Sequence, residues 1–254
     1  MKKYFTLATL FLLLFVSCKK SNSIQPEEIA PTYFPLQAGL RYNYIFTISY
    51  SLPFMKPNPI SGTRAMSYGD EVKKSGTNYF QQTDTTVDGS GTNVTTSFIR
   101  KTNYGVYVFV NSDSVLFPLP DSIKKDVTFD KELALVTFPL EKNKSWMVFQ
   151  MSVLSSLLIE FSAICKGLDS VDYQLSDSNM RDEAQKVDYT LTMFKPEVGI
   201  HRNYTVTVWF VKNIGIVKME GSDEILPLFS GGNFPFTIST NKGFHVQSLV
   251  KFTK

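Results

Sequence analysis

The chain has 254 residues, 26 lysines and arginines against 23 aspartates and glutamates, a formal charge of +3, and two cysteines. A balance this close to neutral leaves no electrostatic footprint for nucleic acid, and no block of like charge points to a polyanion. The length suits one large β domain or two small ones, and 21 phenylalanines with 12 tyrosines supply the apolar surface for its core.

In chain order, residues 1–3 are basic at positions 2 and 3, and residues 6–16 are apolar apart from Thr6 and Thr9. These are the n-region and h-region of an export signal. A helical membrane span needs roughly 20 apolar residues, so this run is too short to be one. Phe15-Val16-Ser17-Cys18 resembles a bacterial lipobox, with a small residue before the cysteine. The resemblance implies diacylglycerol on the Cys18 thiol, cleavage after Ser17 and acylation of the new N-terminus. Each buried CH₂ contributes about 0.8 kcal/mol, so several acyl chains on one cysteine anchor it stably. Residues 19–31, KKSNSIQPEEIAP, lack periodic apolar positions and read as a flexible tether. Lys19 stands where an Asp would favour retention at the inner membrane, so the expected location is the outer membrane, on its periplasmic or its outer face. The expected organisation is a signal peptide over 1–17, a lipidated cysteine and tether over 18–31, and a single antiparallel β domain over 32–254. With Cys18 acylated, Cys165 is the one thiol left and no internal disulfide can form.

From residue 41 onward the pattern has period two, the mark of half-buried strands. RYNYIFTISY places Tyr42, Tyr44, Phe46, Ile48 and Tyr50 on one face. KVDYTLTM sends Val187, Tyr189, Leu191 and Met193 one way, and YTVTVWFV puts Tyr204, Val206, Val208 and Phe210 opposite Trp209. FHVQSLVKF reads as a closing strand. DGSGTN, between Val87 and Val94, is an Asp-Gly hairpin loop, and KKSGTNY at 73–79 is another. Short strands with regular turn signals predict a mostly β fold: a curved antiparallel sheet, half-barrel or barrel-like, with at most one or two short helices.

Several segments depart from the pattern. VLSSLLIEFSAICKG has Leu154, Leu157, Leu158, Phe161 and Cys165 at helical spacing, with Gly167 where a helix would stop. It also alternates at Phe161, Ala163 and Cys165. Two strands are the favoured reading, and any helix in the protein is expected here. PFMKPNP at 53–59 holds three prolines, which lack the N–H a ladder needs, and is expected to be a loop. EILPLFSGGNFPF at 224–236 is expected to be a second loop, and DSNMRDE at 177–183 a solvated one. FPLQAGLRY at 34–42 and FPLEKNKSW at 138–146 echo one another, with an aromatic residue six positions after each Leu, Tyr42 and Trp146.

YFPLQAGLRYNY, FPLEKNKSW, AICKGLDSV and WFVKNIGIVK resemble motifs shared by secreted proteins and lipoproteins of Bacteroidetes-type bacteria. Trp209-Phe210 and Ile214-Gly215-Ile216-Val217-Lys218 match the end of that pattern. Tyr42 replaces its Trp, Asn143 its second Gly, and Asn213 a small residue. The resemblance implies a curved antiparallel sheet like that of periplasmic lipoprotein carriers, and no known activity.

Residues suited to chemistry are sparse. His201 and His245 have no ligand-type neighbours in sequence, and the calcium-like start at 84–92 places Thr95 where a bidentate Glu is required. Cys165 sits among apolar residues, which quietens a thiol. No Gly-x-Ser-x-Gly elbow or phosphate-cradling glycine loop occurs. The expectation is therefore a non-enzymatic outer-membrane lipoprotein without cofactor or metal, attached through Cys18, that binds a lipid or other apolar molecule. The candidate lining is Tyr42, Tyr44, Phe46, Trp146, Tyr189, Leu191 and Trp209. The alternative is an accessory or adhesion subunit of an envelope complex. Its contact patch would be Phe54, Met55, Leu228, Phe229 and Phe234. An envelope hydrolase would instead need carboxylates clustered in a cleft.

Overall fold

Alternating burial sets this architecture, and one register governs most of the chain. The computed structural model describes residues 32–50, 59–111, 121–153, 156–195, 200–229 and 243–254. Cys18, the signal peptide and the tether, together with Phe54, Met55 and Phe234, lie outside the described residues. The first strands are β1 (Arg41–Tyr50), β2 (Ile60–Lys74), β3 (Thr77–Asp88), β4 (Gly91–Lys101), β5 (Gly105–Phe109), β6 (Val127–Phe129) and β7 (Glu132–Thr137). There follow β8 (Ser145–Val153), β9 (Ser156–Leu175), β10 (Ser178–Lys195), β11 (Ile200–Val211), β12 (Gly215–Ser222) and β13 (Gly243–Thr253). All pairings are antiparallel, in the order β6-β8-β9-β10-β11-β12-β13-β1-β2-β3-β4-β5-β7.

That order is two up-and-down meanders, β1–β5 with β7 and β8–β13, joined where β13 pairs with β1. The sheet does not close. Its edge strands β6 and β7 are consecutive in sequence, and side chains span the seam. Trp146 Nε1 on β8 donates to the Ala134 carbonyl on β7 at 3.0 Å, and the Tyr189 hydroxyl on β10 donates to the Leu135 carbonyl at 2.9 Å.

The two meanders begin alike. Leu40 N–H donates to the Gln37 carbonyl, and Lys144 N–H to that of Glu141, which makes a turn in each. Gly39 (φ 88°) and Asn143 (φ 68°) sit in the left-handed region at the same place in that turn. Gly39 N–H then donates to the Tyr68 carbonyl while Tyr68 N–H donates to that of Leu40. Asn143 N–H donates to Cys165 while Cys165 N–H donates to Lys144. Each is a bulge led by a residue with positive φ, where Gly carries no Cβ penalty and Asn a small one. Beyond Tyr68 and Cys165, β2 and β9 each carry one extra residue relative to their next neighbour. The echo seen in sequence is thus a matched structural start.

The core face follows the predicted alternation. Tyr42, Tyr44, Phe46 and Ile48 are buried, as are Val187, Tyr189, Leu191, Met193, Tyr204, Val206, Val208 and Phe210. Both expected hairpins form. Ser75 and Gly76 turn β2 into β3 with positive φ, and β3 and β4 meet at Asp88 and Gly91. Asn213 (φ 64°) and Gly215 (φ 102°) turn β11 into β12.

Residues 151–153 and 156–166 belong to β8 and β9, because Phe161, Ala163 and Cys165 face inward at period two. The helical turns lie elsewhere: α1 (Asp121–Lys124), a 3₁₀ turn (Asp223–Ile225) and α2 (Leu226–Phe229). The expected loop at 224–236 therefore opens as helix within its described part. The expected loop at 177–183 is mostly strand: Ser176 and Asp177 make the turn with positive φ, and β10 starts at Ser178. The β9–β10 tip folds against β13, where Ser176 N–H donates to the Val250 carbonyl at 2.9 Å.

Candidate functional site

The bulges align the halves residue by residue, and that alignment exposes an asymmetry. Asp84 pairs with Met66 and Thr95, and its counterpart Tyr189 pairs with Ala163 and Val206. By the same register Arg64, Gln82 and Ser97 correspond to Phe161, Val187 and Val208. One half fills these inward positions with aromatic and aliphatic side chains. The other places a charged and amide-bearing cluster there.

The cluster is built from alternation on three strands. Arg64 on β2, Gln82 and Asp84 on β3, and Gln247 on β13 are 6%, 2%, 1% and 1% exposed. Arg64 Nε donates to Asp84 Oδ2 at 2.8 Å and Oδ1 at 3.0 Å, a forked pair that satisfies both charges. Burial alone would lower the guanidinium's pKa, yet the facing Asp84 carboxylate raises it on balance. Arg64 Nη1 also donates to Gln247 Oε1 at 3.4 Å, and Gln82 Nε2 donates to the Phe229 carbonyl at 3.3 Å. The buried Tyr44 and Tyr68 hydroxyls nearby are pushed up in pKa by desolvation and stay neutral.

Beside this cluster lies a cavity of about 370 Å³, bordered by Phe46, Arg64, the β3–β4 turn, Asp223, His245 and Gln247. His245 is buried, its ring stacks on Phe46 with centroids 5.1 Å apart, and its Nδ1 lies 3.3 Å from Asp223 Oδ1. His245 Nε2 and Gln247 Nε2 have no hydrogen-bond partner among the described residues. Groups so buried normally find one. At the rim, Asp88 Oδ1 accepts from Ser90 N–H at 2.7 Å and from Ser90 Oγ at 2.6 Å, which lowers the Asp88 pKa. The stretch that starts like a calcium loop is thus a hairpin whose two aspartates have other work.

The predicted apolar lining has a different fate. Tyr42, Tyr44, Tyr189 and Leu191 belong to the filled core, with Trp146 partly buried against it. Two voids near these tyrosines measure only about 10 Å³ each, close to the room one water needs. Phe46 borders the cavity of about 370 Å³, and Trp146 borders a separate, more open groove of about 460 Å³ with Met147 and Thr190. Trp209 faces the other side of the sheet, between Lys186 and Lys218, and its Nε1 donates to Asp169 Oδ2 at 3.3 Å. It stands out of phase with Val208 and Phe210, yet it is only 7% exposed and packs with the core cluster, and it borders none of these cavities.

Of the expected partner patch, Leu228 and Phe229 are buried at 0% and 4% exposure. α2 turns them inward, and the Phe229 ring meets Tyr189 edge-on at 4.9 Å. They form core in place of an exposed surface. Cys165 is wholly buried, and burial pushes its thiol pKa up. Among the described residues no three His, Cys, Asp or Glu side chains come together as metal ligands.

The pocket was missed because its residues are scattered over the sequence. One signal was present: Arg64 shares a strand face with Met66 and Tyr68, and His245 and Gln247 recur at period two. Charge and amide at core-phase positions are unusual unless paired or used.

The four recurrent motifs meet in pairs. Asn213 N–H donates to the Thr32 carbonyl, the Tyr44 hydroxyl donates to that of Ile216, and Gly215 leaves room for Pro35 and Tyr42. Residues 138–146 pair with Cys165 in the same fashion, and Gly167 leaves room for Lys142. Their role is to fasten strand starts, remote from the cavity.

No protein-family profile matches the chain, and no curated protein does. Among solved structures, it is similar to a protein of Bacteroides fragilis NCTC 9343 provisionally described as exported and of YmcC-like fold. Identity is 13% and the TM-score 0.46, over 88% of this chain and 100% of that one. A protein of Parabacteroides distasonis ATCC 8503, provisionally described as a lipoprotein, matches at 10% identity and a TM-score of 0.43 over 88% and 99% of the two chains. The hypothetical lipoprotein YmcC of Escherichia coli matches at 10% and 0.31, over 84% and 85%.

Proposed function

We propose that this chain is a lipid-anchored protein of the bacterial outer membrane that binds a small polar ligand and performs no catalysis. The anchor reading rests on the lipobox at Cys18, and the membrane on Lys19. The observation that carries the binding reading is the asymmetry between halves. The same inward positions hold Phe161, Val187, Tyr189 and Val208 in one meander and Arg64, Gln82, Asp84 and Ser97 in the other. The other half of the sheet packs with apolar residues there, which argues that the polar set serves something other than folding. Buried ion pairs of this sort add little net stability over apolar packing, and a polar pocket beside one gives it a use. An apolar ligand has little support, since the aromatic face meant to enclose it is packed solid. Binding is favoured over chemistry because Arg64 and Asp84 are engaged with each other and the Cys165 thiol is buried.

The test has two arms. Cys18→Ala should move the protein from the membrane pellet to the soluble fraction; retention in the pellet would overturn the anchor. Native mass spectrometry of the full chain, gently extracted from envelopes, should show an added polar mass that Gln247→Leu removes. An added mass that survives Gln247→Leu, or one that only organic solvent extracts, would overturn the pocket reading.

A further inference from the structure

We infer that the pocket takes a neutral polyhydroxylated ligand, a sugar unit or cyclic polyol whose hydroxyls bridge His245 and Gln247. This rests on the reading of the cavity as a ligand site and adds the class of ligand.

Hydrogen-bond polarity selects the class. The Asp223 carboxylate can only accept, so the proton shared with it sits on His245 Nδ1. His245 Nε2 is then left without a hydrogen-bond partner among the described residues. Gln247 is fixed by Arg64: its Oε1 accepts from Arg64 Nη1, which leaves Nε2 a donor without an acceptor among the described residues. His245 and Gln247 thus bring two unpartnered nitrogens to the wall of the pocket, two residues apart on the same face of β13. That separation is about 7 Å along the strand, a span that a six-membered ring with its substituents can bridge. A hydroxyl can both donate and accept, so a ligand with several of them satisfies both groups at once.

Charge narrows the choice further. The positive charge of Arg64 is matched by Asp84, and the other charged residues at the wall, Asp88 and Asp223, are acidic. Among the described residues a phosphate or carboxylate ligand would meet no uncompensated cation. The wall also carries Thr86, Thr92 and Asn93, neutral groups suited to hydroxyls, while Phe46 and Leu226 offer apolar surface to ring C–H groups. The volume of about 370 Å³ accommodates a single sugar ring with solvent to spare.

The experiment is saturation-transfer difference NMR on the full chain in detergent, with four probe classes offered separately at tens of millimolar. These are neutral hexoses, N-acetylhexosamine and myo-inositol; ethanolamine and spermidine; methylphosphonate and glutamate; and octanoate below its micelle concentration. At least one neutral polyhydroxylated probe should bind, and Gln247→Leu should weaken it at least tenfold. Thr92→Val, an exposed change that leaves the buried cluster alone, should weaken it severalfold and guards against a misfolded Gln247 variant. Binding of an amine or an anion alone, lost in Gln247→Leu, would overturn the sugar assignment and leave the pocket reading standing. Octanoate binding alone, or no binding by any class, would overturn both. Sugar binding unchanged in both variants would place it elsewhere and also overturn the assignment.

Discussion

Asp84 and Tyr189 hold the same place in the two halves of the sheet, one facing Met66 on β2 and the other Ala163 on β9. Asp84 is clasped by Arg64, whereas the Tyr189 hydroxyl donates to the Leu135 carbonyl. Two chemically unlike solutions thus occupy one backbone environment. The dependence of the fold on the carboxylate can be measured.

Asp84→Leu should destabilise by about 3–5 kcal/mol, because it leaves the Arg64 guanidinium buried without its counter-charge. Arg64→Met combined with Asp84→Leu should recover most of that loss, since the apolar pair imitates Phe161 and Tyr189. Denaturant unfolding of wild type, the single variant and the double variant reads both. A double variant no more stable than the single one would mean that the polar pair is needed for folding, and would remove the argument that it serves a ligand.

Phe229→Ala tests whether α2 is core or contact surface. The ring is buried and meets Tyr189 at 88°. Truncation should cost about 3–5 kcal/mol, as large buried aromatics do when cut to Ala. A residue awaiting a partner on an exposed loop would instead leave the unfolding midpoint unchanged. The same denaturation curve distinguishes the two.

Asn143→Gly should stabilise the protein by roughly 0.5–1 kcal/mol, because the left-handed conformation at φ 68° is strained for a residue with a Cβ. Gly39→Ala, at the matching place, should cost a similar amount and no more, since a Cβ there would meet nothing within 4 Å. Gly221→Ala is the contrast. Its Cβ would stand 2.2 Å from the Thr205 carbonyl oxygen, so this change should cost several times more. Thermal midpoints of the three variants give the ranking, and an Asn143→Gly protein that melts earlier would refute the matched-turn account.

Legibility in the sequence followed the range of the forces involved. Alternation at Tyr42, Tyr44 and Phe46, or at Val187, Tyr189 and Leu191, is a local pattern, and it reported strand and inward face correctly. Turn chemistry is local too, and Asn213-Ile214-Gly215 and Ser75-Gly76 fold as their residues suggest. Segment 152–166 had two local readings, and the strands on either side decided it. Leu228 and Phe229 misled because nothing nearby shows that α2 turns into the core; the partners that bury them, such as Tyr189, are distant in sequence. The pocket was hardest, because Arg64, Asp84 and His245 become neighbours only when β13 pairs with β1 and β1 with β2. Trp209 carried its answer in plain view: it is out of phase with Val208, and a concave-face role contradicted its own parity.

Glu132 gives the sheet its clearest acid sensitivity. Arg100 Nε and Nη2 donate to its two oxygens at 2.6 Å each, and the Tyr79 hydroxyl donates to it as well. Burial opposes ionisation of Glu132, but the Arg100 and Tyr79 hydrogen bonds prevail and lower its pKa. Burial, helped by the same contact, pushes Tyr79 up to about 12. A carboxylate whose folded pKa lies below its unfolded one stabilises the fold above the unfolded value, about 4.3 for Glu. That contribution is lost as pH falls through the folded value. The pair is about a quarter exposed, so its worth is limited to roughly 1 kcal/mol. Glu132→Gln should therefore lower stability at pH 7 and change it little at pH 3, so that the wild-type and variant curves converge on the acid side. A constant gap between the two curves from pH 7 to pH 3 would show that Glu132 acts through packing and not through its charge.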